Sequence, residues 1–285
     1  MKIAERITDT SVLAGHMDHI MAEKLVFGFD IETGYDGPPR EKASVHPELM
    51  RVVGISYAFS TDEGFYVPLS HDLENNLPLD EVAEIMKPVL QSGLGVAHNA
   101  KFERRCLSQP QPRGFGYDCV VRSDTQIEAY CLQGWQSFAL KGLVKAVFGY
   151  EQAEYASLFT GATASQLKRS RFNELSVSPQ VIQYAVDDSI WCLALHLRHF
   201  DLVKDTAVFR LEMQVMDVVC QMETTGLFYD WEYLRRGAEG CADFVTQVEA
   251  EVFDDLSEMV GERIEINLQS NPQVAEVLYQ KLGLP

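Results

Sequence analysis

No stretch of this 285-residue chain approaches the roughly 18 consecutive apolar residues of a membrane span, so no spanning helix is expected. The N-terminus, Met1-Lys2-Ile3-Ala4-Glu5-Arg6, lacks the charged, apolar and small-residue succession of a signal peptide. Six cysteines are scattered at 106, 119, 131, 192, 220 and 241 without a CxxC pair. That argues against a zinc ribbon or a disulfide framework, and makes a reducing cytoplasm the simplest location. Gly93-Leu94-Gly95 lacks the third glycine of a dinucleotide fingerprint. No repeat or low-complexity segment stands out. Positive charge is also scarce: 24 Lys/Arg against 42 Asp/Glu leave a net charge of −18, which argues against a broad basic nucleic-acid-binding surface.

What remains is a chain with 46% hydrophobic residues, enough for one large core or two modest ones. Charge is unevenly spread. Residues 210–285 hold 5 Lys/Arg and 15 Asp/Glu, whereas residues 98–171 hold 10 Lys/Arg and 6 Asp/Glu. If the protein meets a nucleic acid, the central stretch is the expected phosphate contact; a solvated surface is the alternative.

Apolar periodicity predicts a helix before residue 24, with Ser11 as its cap and Leu13, Met17, Ile20 and Met21 on one face. Short strands are predicted at 25–30, 52–59, 65–67 and 95–98, with a helix over 79–90 and another from Phe102. Beyond 120 no strand is predicted. Helices are read near 124–133, 138–148 and 179–203, and throughout from 206, with Gly226 as a stop. The alternation of strands and helices points to an α/β fold with a mixed sheet. A domain boundary is expected between 208 and 209. Two apolar stripes follow it, Leu211-Val215-Val218-Met222 and Cys241-Val245-Val248-Val252-Leu256, each expected to need a burial partner.

Asp30 and Glu32 end the first predicted strand and, if it continues through them, project from the same face. Paired carboxylates repel, and a hard divalent cation relieves that cost. Alone, this DxE also fits two surface acids at a strand end. Further along, Asn99-Ala100-Lys101-Phe102-Glu103 follows a strand, the usual place for a site in an α/β sheet. Tyr184 and Asp188, four apart in a helix, share a face. Asp124 is expected to cap a helix and Asp187 to face solvent.

In order and spacing these segments resemble the exonuclease motifs of the DEDDy family, on an RNase H-like fold. More closely, Phe29-Asp30-Ile31-Glu32-Thr33, Ala97 to Glu103, and Tyr184-Ala185-Val186-Asp187-Asp188 resemble the proofreading 3′–5′ exonuclease domain of family A DNA polymerases. Asp124 to Leu132 and Leu140-Lys141-Gly142-Leu143 resemble the segments between. Met222 to Leu227 and Asn271 to Pro285 resemble the start of the polymerase thumb. The sequence departs from the family at Glu103, where Asp is usual.

The resemblance implies two divalent ions, Mg²⁺ or Mn²⁺, and a single-stranded DNA 3′ end as substrate. Asp30 would bridge both ions, Glu32 and Asp188 would hold the ion that activates water, Glu103 would support the second, and Tyr184 would orient the attacking water. Thr33, His98, Asn99 and Phe102 are expected near the substrate, with a packed or surface histidine as the alternative for His98 and a core position for Phe102. Lys168, Arg169 and Arg171 are expected on phosphates, or else in a solvated loop. The cell would be bacterial or phage-infected, and a second polypeptide carrying palm and fingers is an expected partner. Alternatives are an RNA-trimming enzyme of the RNase D type and a catalytically silent module binding DNA ends or a polymerase subunit.

Overall fold

A computed structural model describes residues 3–38, 45–46, 48–73, 75–159 and 171–285. Six strands form one mixed sheet: β1 (Ile3–Arg6), β2 (Phe27–Gly34), β3 (Arg51–Ala58), β4 (Glu63–Pro68), β5 (Gly95–Ala97) and β6 (Val121–Asp124), in the order β1-β4-β3-β2-β5-β6. β3 runs antiparallel to β2 and β4, whereas β5 is parallel to β2 and β6, and β1 is parallel to β4. Two of these strands escaped the sequence reading. β1 and β6 are four-residue edge strands, too short for an alternation signal.

The pleat of β2 decides what each face does. Phe27, Phe29 and Ile31 point into a core shared with α1 (Thr10–Glu23), α2 (Leu79–Leu90) and α3 (Ala100–Leu107), through Leu13, Met17, Ile20, Val82, Met86 and Leu107. The alternate residues Gly28, Asp30 and Glu32 take the other face. There the 25-residue α6 (Pro179–Val203) crosses the sheet, burying Ala185, Val186 and Ile190 against Val53, Ala58 and Tyr66. Its start is built from Ser178, whose side chain caps Val181 N, and from Pro179 in the first turn. Two glycines let it lie close. A Cβ at Gly28 would stand 2.2 Å from the Ser189 carbonyl oxygen, and one at Gly64 would stand 2.7 Å from Val186. α4 (Thr125–Leu132) and α5 (Leu140–Phe148) flank α6, packing Ala129, Leu143 and Val144 on Trp191 and Leu195.

One helix cap differs from expectation, and one apolar stripe is left without cover. α1 is capped by Asp9, which accepts from Ser11 N, so Ser11 lies inside the first turn. In α7 (Ala207–Thr225) the stripe Leu211, Val215, Val218 and Met222 is exposed, and Phe209, Met216 and Cys220 are buried instead. Both faces of this helix carry apolar residues, and periodicity alone does not choose between them.

The chain divides into compact units of residues 1–225 and 226–285. The sequence-based division at 208 falls at the start of α7, which belongs to the first unit. α7 is fastened to α3 by Glu223, which pairs with Lys101 at 2.5 Å and Arg105 at 2.8 Å, and by Asp217, which pairs with Arg104. The second unit comprises α8 (Trp231–Val260), a short α9 (Asn271–Ala275) and a π-helical turn to Lys281, with Ile264 and Val277 buried. No residue of α8 is buried; Trp231, Tyr233, Phe244 and Val245 are all exposed.

Candidate active site

The site lies on the α6 face of β2. Asp30 and Glu32 project from that strand, and Asp188 comes down from α6. Each offers a carboxylate oxygen, and the three oxygens lie within 4.8 Å of one another. Just past Glu32 the register with β3 slips between Glu32 and Thr33. Such irregularities re-aim strand ends beside active sites. Burial raises the proton affinity of all three acids, and repulsion from a neighbouring carboxylate adds to it in each case. Asp30 is pushed well up by burial and then by Asp188, and Glu32 by burial, Asp30 and Asp188, with Lys141 pulling the other way. Asp188 is pushed up to about 6, mainly by burial.

Glu103 completes the set from α3. It is 2% exposed, and burial and then Asp30 hold its pKa well above the usual carboxylate range. Asp124 locates it. Asp124 Oδ1 accepts from the backbone N–H groups of Asn99 and Gln126, and Oδ2 from Ala100 N–H. One carboxylate therefore caps α4 and tethers the start of α3.

Oε1 of Glu32 and Oε2 of Glu103 are buried without a hydrogen-bond partner among the described residues. Orphaned acceptors beside clustered carboxylates are costly. A divalent cation with a preference for oxygen ligands would satisfy both conditions, so this donor set fits such an ion.

The other expected residues are placed as follows. Tyr184 is one helical turn before Asp188, its ring against Phe172 and Tyr155 and under the Lys141 ammonium, 4.8 Å from the ring centre. Burial and the carboxylates Glu32, Asp188 and Asp30 raise the pKa of its hydroxyl, so it stays protonated. His98 Nδ1 pairs with Thr125 Oγ1 at 2.9 Å; burial lowers its pKa to about 4 against an opposing interaction with the Phe138 backbone, so the ring is neutral at physiological pH. Thr33 is buried, Phe102 packs on the core, and Asn99 is exposed in the left-handed conformation, φ 64°. Arg171 is engaged elsewhere: its guanidinium donates to the carbonyls of Tyr35 and Gly37 at 2.6 and 2.8 Å. Lys168 and Arg169 lie outside the described residues. The basic residues of α3 are paired with acids.

Asp187 does not face solvent. It is 3% exposed and accepts from Gln183 Nε2 at 2.8 Å and from the Tyr150 hydroxyl at 3.2 Å. The turn after α5 covers this part of α6, an arrangement that helical periodicity does not disclose. The same turn supplies Gln152, whose Nε2 donates to Asp188 Oδ1 at 2.6 Å. Neither Gln152 nor Lys141 was singled out from sequence. Lys141 lay within a quoted segment, and Gln152 carries no periodic or motif signal.

Solved structures share this architecture. The polymerase domain of Pol1 from M. smegmatis, in complex with DNA primer-template and dNTP, aligns over 98% of this chain and 41% of its own (TM-score 0.57, 19% identity). NrnC from Brucella melitensis with bound Mg²⁺ aligns over 79% of this chain and 95% of its own (TM-score 0.53, 10% identity). The catalytic core of RRP6 from Trypanosoma brucei covers 78% of this chain and 53% of its own (TM-score 0.53, 15% identity). The protein thus has the RNase H-like fold of nucleases, with helices on both faces of a mixed sheet.

Sequence narrows the class. The family model described as 3′-5′ exonuclease, of the DNA polymerase A type, matches residues 8–198, and the chain belongs to that family of hydrolases. DNA polymerase I of Pseudomonas aeruginosa is 26% identical over 279 residues, 93% of this chain and 28% of the relative. DNA polymerase I of Chloroflexus aurantiacus is 29% identical over 251 residues, 86% of this chain and 25% of the relative. The chain therefore spans about a quarter of the length of these curated relatives. The family uses divalent metals, and the Asp30–Glu32–Asp188 cluster is where this chain can hold one. No helix among the described residues is long and apolar enough to cross a membrane.

Proposed function

We propose that the chain removes nucleotides from the 3′ end of single-stranded or frayed DNA by two-metal-ion hydrolysis, as the proofreading part of a family A polymerase. The observation that carries this is the convergence of Asp30, Glu32 and Asp188 within 4.8 Å, in a chain of the 3′-5′ exonuclease family.

Two divalent ions, Mg²⁺ or Mn²⁺, would supply charge neutralisation at the reacting phosphorus, stabilisation of the leaving 3′ oxygen and an acidified water. Asp30, whose charge acts on both Glu32 and Glu103, would be the ligand that the two ions share. Glu32 and Asp188 would serve one ion and Glu103 the other. Tyr184, held protonated, orients the attacking water by hydrogen bonding and does not act as a base. His98, neutral, would offer a hydrogen bond to substrate without adding charge. Thr33, Asn99 and Phe102, which neighbour the acids in sequence, would lie nearest the substrate. Residues 209–285 correspond in this reading to the start of a thumb. The exposed Trp231, Tyr233 and Phe244 would be covered in this reading by a second polypeptide bearing palm and fingers.

The test is incubation with single-stranded DNA labelled at one end or the other, with Mg²⁺, Mn²⁺ or EDTA. Nucleoside monophosphates are expected to leave from the 3′ end only, in either metal and not in EDTA. Asp30→Ala is expected to reduce release to background while far-UV circular dichroism is unchanged. Release from the 5′ end, or an active Asp30→Ala variant, refutes the proposal; preferential attack on RNA moves it to an RNA-trimming enzyme.

A further inference from the structure

The turn after α5 makes a set of contacts that the mechanism above does not use. Gln152 is 8% exposed, and its amide donates to Asp188 Oδ1 at 2.6 Å. Two residues earlier, the Tyr150 hydroxyl donates to Asp187 Oδ2. One residue later, the Ala153 carbonyl accepts from Nζ of Lys141, and Glu154 lies 3.8 Å from the same ammonium. Residues 150–154 are thus tied to α5 through Lys141 and to both adjacent acids of α6. Gln152 Oε1 has no partner among the described residues, so the bond to Asp188 is what sets the orientation of its amide.

We propose that Gln152 is a positioning residue for the metal site, fixing the rotamer of Asp188 and engaging Oδ1 so that Oδ2 is presented to the ion. The inference rests on the metal-dependent reading above. The residue type suits the task. An amide donates a hydrogen bond without carrying charge, so it orients the carboxylate and leaves its negative charge for the cation. A lysine there would neutralise Asp188 and repel the ion. Hydrogen-bond partners of metal ligands commonly contribute 10–100-fold to metal affinity. Lys141 holds the Ala153 carbonyl, and with it the turn that carries Gln152, while its charge also acts on Glu32 and Asp188.

The test is calorimetric titration of Mn²⁺ into the full 285-residue chain, as wild type and as Gln152→Met, Gln152→Ala and Tyr150→Phe. Gln152→Met keeps the length and burial of the side chain but has no donor. Mn²⁺ is expected to bind both Gln152 variants about 10-fold more weakly than wild type. Tyr150→Phe, which loosens the same turn without touching a ligand, is expected to stay within about twofold of wild type, a small part of that effect. Wild-type affinity in Gln152→Met overturns the inference and leaves the metal-dependent reading standing. Equal weakening by Tyr150→Phe also overturns it, since the effect would then belong to the turn as a whole. A wild-type chain that binds no Mn²⁺ overturns both.

Discussion

Replacing Asp188 by Asn separates what the acid cluster costs from what it does. The Asp188 carboxyl is held at about 6, against an ordinary 3.8, mainly by burial, with Asp187 adding and Lys141 and Gln152 opposing. A carboxyl whose folded pKa is raised contributes stability that is fully present below the unfolded value and is lost as pH rises through the folded one. For Asp188 the window runs from about 4 to about 6, and by neutral pH the cost reaches at most about 3 kcal/mol. Asp30 and Glu32 share the proton uptake, so a single substitution recovers part of this, about 1–3 kcal/mol. Asn has the same shape and its Oδ1 can still accept from Gln152. In EDTA at pH 7.5, Asp188→Asn is therefore expected to melt several degrees above wild type, at about 2–4 °C per kcal/mol for a unit of this size. The difference should vanish near pH 4. Adding Mn²⁺ should reverse the order, because only the wild type gains binding energy from the ion. A variant that melts at or below wild type in EDTA at pH 7.5 refutes the argument that clustered carboxylate charge destabilises the metal-free site.

Two further substitutions test how the acids are brought together. Gly28→Ala would put a Cβ at 2.2 Å from the Ser189 carbonyl, so α6 must lift from β2; a loss of about 1–3 kcal/mol in urea unfolding and weaker Mn²⁺ binding are expected, and an unchanged midpoint with unchanged affinity would contradict the close approach. Asp124→Ala leaves the N–H groups of Asn99, Ala100 and Gln126 without their acceptor; it should cost about 1–3 kcal/mol, and a loss below a few tenths would mean the carboxylate is not what holds α3 and α4.

Much of this arrangement was legible in the sequence because it follows local rules. The face shared by Asp30 and Glu32 follows from the two-residue period of a strand, and that of Tyr184 and Asp188 from the 3.6-residue period of a helix. The capping role of Asp124 follows from its place between a strand and an apolar-periodic helix. What was not legible depends on tertiary cover. Asp187 is buried because the turn at 150–153 closes over it, and nothing within α6 announces that. Arg171 looked like a phosphate ligand by charge, but the Tyr35 and Gly37 carbonyls lie within its reach only after folding. The expectation that the α7 stripe needs a burial partner agrees with its exposure, whereas the burial of Phe209, Met216 and Cys220 on another face depends on tertiary packing that periodicity does not disclose. β6 was missed because four residues, two of them polar and one Arg, carry no alternation.

The pairing of α3 with α7 bears on how a polyanion would sense this protein. Lys101, Arg104 and Arg105 put three positive charges within five residues of the central stretch, yet Glu223, Asp217 and Asp118 already occupy all three. A phosphate arriving there must first displace a carboxylate from a cation whose charge is balanced within the protein. The counterion that such a contact would free from the strand is set against the ion pair it must break, so the contact is disfavoured. These three residues should therefore contribute little to the ionic-strength dependence of strand binding, and the slope of affinity against salt should be shallower than their number suggests. The outer side of α3 is electrostatically closed to the strand, while its inner side presents Glu103 to the site.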